Sequence, residues 1–303
     1  MVPAMDALLR DLEAQLREHW ADEERWAVYA DALLQAGDPR GELISLELRI
    51  GRRGEQAGLN SELDALLPAH EEQWRPAYGY ARGPEGLGWQ YGFVTRMRSL
   101  ELSEAEDIEL LSDALAQPQL RMLRALELQI GEHVEPEIFP ALARLELGPL
   151  RALRLAYARQ GDALAEVLAC APPTLVELDL RHVGLTGRGL GLALEHLQAR
   201  GCRLQRLYLQ HNELEAKAVG QLVRSPALAQ LRHLDLRGNE IGPEGARALA
   251  TAPSLGGLER LLLDGRDVDA EGEAALAESG TLGPVITRFW RARRSTNEVE
   301  ASA

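Results

Sequence analysis

One spacing of apolar positions dominates the chain: an apolar residue, two variable positions, leucine, one variable position, leucine. It reads MRSLEL from Met97, LRALEL from Leu123, LRALRL from Leu150 and LVELDL from Leu175, then LQRLYL from Leu204, LRHLDL from Leu231 and LERLLL from Leu258. Successive starts lie 26, 27, 25, 29, 27 and 27 residues apart. Self-similarity at such a period marks stacked units that bury their apolar faces only against each other. LARLEL, from Leu142 to Leu147, mimics the motif out of period, where neighbouring repeats place a helix. It is not expected to form a strand.

Within LRHLDLRGNEIGPEGARALA, the alternation of Leu234 and Leu236 predicts a strand with leucines on one side. Asn239 falls where the chain turns, and its side-chain amide can bond the exposed backbone of the bend. Ile241 returns to the core, and Gly242-Pro243 opens a helix with Ala246, Leu249 and Ala250 inward. LYLQHNELEAKAVGQLV repeats this plan with Asn212 and Leu214. The asparagine position holds Val183 in the fourth repeat, Arg266 in the seventh, and Ala105, Gly131 and Ala158 in the first three. Those bends are expected to be held in another way.

These motifs resemble the leucine-rich repeat family, in particular the long-repeat subtype typified by ribonuclease inhibitor, over roughly residues 93–285. The resemblance implies an α/β solenoid, with parallel strands on a concave face and a full α-helix per repeat on the convex side.

Residues 1–90 do not repeat. Leu8, Leu9, Leu12 and Leu16 form one helical stripe, and Trp26, Tyr29, Ala30 and Leu33 a second from near Asp22. Gly37 suits a helix C-terminus, and Asp38-Pro39 an N-cap with proline behind it. A third helix carries Leu43, Ile44, Leu46, Leu48 and Ile50 to a break at Gly51-Arg-Arg-Gly. A fourth is expected to start at Asn60-Ser61 and to be kinked or divided at Pro68. YADALLQAGDPRGELISL, LPAHEEQW and GWQYGFVTRM resemble the bacterial repeat-companion domain, which precedes leucine-rich repeats and has no established catalytic residues. The expected organisation is an all-α capping domain over 1–90, a solenoid of about seven repeats over 91–290 and a disordered tail over 291–303.

Composition narrows the function classes. The net charge of −14 opposes non-specific nucleic-acid binding, which needs basic surface. No run approaches the roughly 18 apolar residues of a membrane span, and the first twenty residues lack a signal-peptide core. Cys170 and Cys202 have no metal-ligand spacing. A cytoplasmic protein is expected, with no nucleic-acid or membrane partner.

In the repeat frame, the variable strand positions of the middle repeats supply Tyr157, Asp179, Arg181, His182, Arg206, Tyr208, Gln210, His211, His233, Asp235 and Arg237. Tyrosine, arginine and histidine among acids are residue types that dominate protein interfaces. Earlier repeats offer Ser99, Ala125 and Ala152 instead. His182 and His211 occupy equivalent positions, but two histidines without a third ligand do not make a metal site. In the N-terminal quarter, Asp31 and Arg40, with Arg25 and Glu42, read either as a binding cluster or as a helix-corner ion pair. The pair is favoured, because no nucleophile–base couple or phosphate loop stands beside it. Val285, Ile286, Phe289 and Trp290 are expected to close the last repeat, ahead of a solvated basic run from Arg288 to Arg294.

No catalytic constellation and no cofactor motif is found. The expectation is a non-enzymatic scaffold or adaptor that binds a partner protein on the concave face. The alternative class is a regulator of a small GTPase, as in some long-repeat solenoids, although no arginine or asparagine here matches that role by motif.

Overall fold

The computed structural model describes residues 2–53, 57–77 and 86–300, with side chains described over 5–52, 61–77 and 86–296. The chain divides into two compact units, Met1–Met97 with Asp113–Arg124, and Arg98–Ser112 with Ala125–Ala303. The first unit thus runs past the expected boundary at 90 and recruits a later segment.

That unit contains α1 (Val2–Glu18), α2 (Glu23–Ala36), α3 (Arg40–Arg53) and α4 (Ala57–Trp74). A hairpin follows, β1 (Leu87–Gln90) against the first half of β2 (Phe93–Leu102), pairing Leu87 with Met97 and Gln90 with Phe93. The unit is therefore helical with one hairpin rather than all-α. Asp22 caps α2 by accepting from the Glu24 and Arg25 amides, and Gly37 ends it at φ 77°. The core gathers Leu16, Trp26, Tyr29, Leu33, Ile44, Leu48 and Phe93 around Met122, which explains why Asp113–Arg124 joins this unit. Leu8, expected inward, is exposed. Three boundaries differ from the sequence pattern. Helix α3 continues through Gly51 to Arg53, while Gly54 of the expected break lies outside the described residues. Asn60 and Ser61 fall inside α4 rather than at its start, and Pro68 sits within that helix without dividing it.

The expected Asp31–Arg40 bond does not form. Asp31 is exposed, whereas Arg40 is buried and pairs with Asp38 (Nη1–Oδ2 2.9 Å). Arg40 Nε also donates to the Gly92 carbonyl at 2.9 Å, and its guanidinium lies 4.6 Å from the Trp74 ring centre and 5.0 Å from that of Phe93. Gly92, at φ 73°, suits glycine, since a Cβ there would press on Arg40 at 3.0 Å and Trp74 at 3.1 Å in a backbone conformation that side chains rarely adopt. Arg40 fastens the α3 start to the hairpin turn. A second buried network, unforeseen in the sequence, joins Tyr29 Oη to Glu13 (2.6 Å) and Glu13 to Arg121 (2.8 Å).

The second unit begins with the end of β2 and α5 (Ala105–Leu115, shared with the first unit). It continues as β3 (Ala125–Ile130), α6 (Ile138–Leu142), β4 (Ala152–Arg154) and β5 (Glu177–Asp179). Then come α7 (Gly187–Ala199), β6 (Arg206–Tyr208), α8 (Ala216–Leu222), β7 (His233–Asp235), α9 (Gly242–Thr251) and β8 (Arg260–Leu262). Two helices, α10 (Ala270–Ala277) and α11 (Pro284–Glu300), complete it. Strands β3 to β8 pair in parallel and in chain order, with Leu126, Leu153, Leu178, Leu207, Leu234 and Leu261 in one register. All six leucines are buried, each stabilising the stack by about 2 kcal/mol.

The helical side is less regular than the long-repeat subtype implies. The second repeat has only the five-residue α6, and the third has a 3-10 segment, Gly161–Cys170, in place of an α-helix. LARLEL forms no strand, since Leu142 ends α6 and the following residues turn. At the C-terminal end, Ile286 and Trp290 are buried while Val285 and Phe289 are exposed, so only half of the expected closing set closes anything. The expected disordered tail is helical through Glu300, with 301–303 outside the described residues. Its arginines have partners: Arg293 bonds the buried Glu273 at 2.8 Å and Arg291 the Ala277 carbonyl at 2.8 Å.

The turns after the strands decide how these short units hold together. Asn212 Nδ2 donates to the carbonyls of Leu180 (2.8 Å) and Leu209 (2.9 Å), and its Oδ1 accepts from the amides of Val183 (3.2 Å) and Leu185 (3.0 Å). Asn239 does the same one repeat on, reaching the Leu209 and Leu236 carbonyls and the Leu214 amide. Where the asparagine is missing, other side chains substitute. Asp267, one residue past Arg266, accepts from the Gly238 and Asp264 amides at 2.9 and 3.1 Å. Asp162 accepts from the Thr186 amide (2.9 Å) and hydroxyl (2.7 Å), and Gln160 donates to the Gly131 carbonyl at 2.7 Å.

In the first unit, burial pushes the Glu47 carboxyl from 4.5 up to about 7, against the opposing hydrogen bond from the Tyr91 amide. A raised carboxyl binds its proton more tightly when folded, so stability held at acid pH is lost as pH rises from the unfolded value through about 7. Glu47→Gln keeps an acceptor for Tyr91 and removes the ionisation. In urea melts it is expected to stabilise the protein by about 1–2 kcal/mol at pH 8, allowing for solvent screening, and to match wild type at pH 5. An equal gap at both pH values would contradict this.

Candidate functional site

The buried leucines of β4 to β8 alternate with residues on the opposite face of the sheet, because successive strand side chains point to opposite sides. The strand pairing places those residues in lanes. Glu177, Arg206, His233 and Arg260 are in register, and so are Arg154, Asp179, Tyr208 and Asp235. Arg181, Gln210 and Arg237 follow the second leucine of their repeats, and Tyr157, His182 and His211 stand one residue further on. All eleven candidates from the sequence fall on four adjacent lanes of one surface, but they do not play equal parts.

Asp179, Gln210 and Asp235 are buried, with 6%, 5% and 1% of their surface exposed, so they are supports beneath the surface rather than contact groups. Asp179 holds Arg181 in a fork, Nε–Oδ1 2.9 Å and Nη2–Oδ2 2.6 Å. Asp235 holds Arg237 likewise at 2.9 and 2.7 Å, and also accepts from Gln210 Nε2 at 2.6 Å. Such bidentate charge-assisted bonds fix a guanidinium plane as well as its position. They also favour the charged form, so the hydrogen bonds that Arg181 and Arg237 donate to Asp179 and Asp235 lift both above the usual arginine range.

The sequence reading overlooked part of the charged set. Arg98 pairs with Glu127 (3.1 Å), and Arg154 bridges Glu127 and Asp179 at 3.5 Å each. Glu177 meets Arg206 at 2.6 Å across neighbouring strands. The signal was present: Glu127, Arg154 and Glu177 occupy the same variable positions as the chosen residues.

Aromatic rings add a second feature. Tyr157 stacks on His182 with centres 4.9 Å apart at 15°, and His182 on His211 at 4.2 Å and 19°. Tyr208 leans on His233 at 5.1 Å and lies beneath the Arg181 guanidinium at 5.9 Å. Burial, then the neighbouring His211, Arg181 and Arg159, hold the His182 imidazole below its ordinary value of 6.5. Burial and Arg260 do the same for His233.

Among the described residues no group of three or more His, Cys, Asp or Glu could hold a metal ion. Cys170 and Cys202 are buried free thiols, and burial pushes Cys170 up to about 11, away from thiolate chemistry. No described helix is long and apolar enough to cross a membrane. The arrangement can recognise charge and planar groups.

A leucine-rich repeat family model matches residues 229–250, which contain the sixth repeat's strand, its Asn239 turn and most of α9. No curated protein shows a match to the chain. The matched motif and the parallel sheet together support a leucine-rich repeat protein.

In a histidine NMR titration, the His182 ring is expected to titrate below 6.5 in the wild type and to move upward in His211→Gly, which removes one of the depressing charges. A His182 pKa unaffected by His211→Gly would contradict the stacked geometry.

Proposed function

We propose that this protein is a non-enzymatic recognition scaffold that binds a partner protein on the polar sheet face of its third to sixth repeats. Leucine-rich repeats generally serve protein–protein interaction, and the finer assignment rests on one observation. On this face the guanidinium groups of half-buried Arg181 and exposed Arg237 are held in place by carboxylates sunk beneath them, Asp179 under Arg181 and Asp235 under Arg237.

Association costs side-chain ordering, roughly 0.5–1.5 kcal/mol for each long side chain immobilised. Arg181 and Arg237 have met that cost in the free protein, because their forks are formed intramolecularly. Arg206 is fixed by Glu177 across the strands. Arginine and tyrosine held in this way are the residue types on which interface energy concentrates.

The test is comparative capture from the native host's lysate, with immobilised wild type beside the triple variant Arg181→Glu, Arg206→Glu, Arg237→Glu. At least one protein retained by the wild type is expected to fall about thirtyfold or more in the variant, as loss of roughly 2 kcal/mol of hot-spot energy requires. Identical capture profiles, from a variant with an unchanged melting transition, would overturn the assignment.

A further inference from the structure

The stacked rings carry a backbone cost that the fold does not require. Tyr157, His182 and His211 sit three residues past the ends of β4, β5 and β6 with φ of 69°, 54° and 54°. Bulky residues avoid this left-handed region at a cost of order 1 kcal/mol or more each. The next repeat makes the same turn with Gly238 at φ 69°, which incurs no such strain. A Cβ on Gly238 would come within 2.3 Å of the His211 ring, so the stack ends against bare backbone. The rings do not fill the core either, since Tyr157 is 56% exposed and His211 is exposed. Strain retained at the surface in three consecutive turns points to use by a ligand.

The charge around the rings states what kind of ligand. Arg154 lies 5.9 Å from the Tyr157 ring, and Arg181 and Arg159 act electrostatically on His182. The forks engage Nε and Nη2 of Arg181 and Arg237 and leave Nη1 of each without a hydrogen bond among the described residues. The opposing carboxylates are sunk, with side-chain exposures of 9% for Asp179 and 2% for Asp235. An approaching chain therefore meets guanidinium edges and ring faces before it meets acid. Between the forks, the buried Gln210 keeps Oε1 without a partner, an acceptor still to be satisfied.

We propose that the Tyr157–His182–His211 stack, with Arg181 and Arg237 beside it, is a docking platform for an acidic polypeptide segment that also carries an aromatic side chain. This deepens the recognition reading above and rests on it. Carboxylates of the segment take the outward Nη1 donors, and its aromatic group stacks on the exposed ring face. A basic segment finds the carboxylates of both forks already engaged by Arg181 and Arg237. Burial and the neighbouring His211, Arg181 and Arg159 disfavour the charged form of the His182 imidazole. Bound carboxylates supply the missing counter-charge, so binding takes up protons and tightens as pH falls through the imidazole range.

The experiment uses the full chain and a fluorescein-labelled twelve-residue peptide of alternating Glu and Gly with one central Trp, beside its Lys-for-Glu counterpart, read by fluorescence anisotropy. The acidic peptide is expected to bind and the Lys peptide not to. Affinity is expected to rise about threefold or more from pH 7.5 to 5.5. His182→Gly with His211→Gly should abolish the pH effect and weaken binding about tenfold, while melting within a few degrees of wild type because glycine suits the turn. Arg181→Gln with Arg237→Gln should weaken binding about tenfold. The proposal is overturned if the Lys peptide binds as well, if the acidic peptide does not bind or is indifferent to these substitutions, or if the double-glycine variant loses its fold, which would make the rings structural. Loss of a captured partner in the triple-arginine variant alongside a silent acidic peptide would leave the face as a binding surface and remove its acidic specificity. An unchanged capture profile would remove the binding surface itself.

Discussion

A strand three residues long that turns inward exposes peptide groups which neither the sheet nor water can satisfy, and in this molecule side-chain amides and carboxylates satisfy them. Asn212 and Asn239 each bond carbonyls of two consecutive repeats, so a single side chain ties one turn to the next. Leaving one such buried group unpaired costs roughly 1–3 kcal/mol, comparable to burying a leucine. Leucines supply most of the gross stabilisation, but they are indifferent to register. The turn bonds are directional, and they fix how far each repeat is rotated against its neighbour. Spacing between lanes on the polar face follows from that.

The same logic runs through the surface above. Buried Asp179 and Asp235 are tolerable only because each is fully engaged, Asp235 by Arg237 and Gln210 together. Their burial depends on leucines on either side of them in the strand, and their forks in turn orient the arginines. Core, turn and polar face are thus one chain of dependence: apolar columns set the strands, turn side chains set the register, and sunk acids set the cations above them. In the first unit Arg40 plays a comparable part, since one guanidinium satisfies Asp38 and the Gly92 carbonyl while lying against Trp74 and Phe93.

The repeat period made the sheet legible, because Leu126, Leu153, Leu178, Leu207, Leu234 and Leu261 share one pattern and one register. Helical segments were less so: short apolar runs such as Gly161–Cys170 do not declare whether they wind as an α-helix or a tighter one. The missing asparagines announce that those turns need another bond, but Asp162 and Gln160 serve from outside the consensus position, so spacing does not name them. Asp31 was the wrong partner for Arg40 because sequence distance says nothing of which way a helical side chain faces; Asp38, two residues away, was nearer and capped the same helix. Candidate positions on the polar face could be listed from the frame, whereas the division into sunk acids, pinned arginines and strained rings required the coordinates. Left-handed backbone at His182 and His211 has no sequence signal except that glycine takes the place in the following repeat.

Amide hydrogen exchange tests the dependence of the whole stack on its turns. The Val183, Leu185 and Leu214 amides lie outside regular strands and bond only to the side chains of Asn212 and Asn239. If those side chains lock the register, these three amides exchange as slowly as the leucine amides of β6 and β7, through opening of the unit as a whole. Exchange at these positions within about tenfold of an unstructured chain would show that the turns open independently, and the account of a face held rigid from beneath would fail.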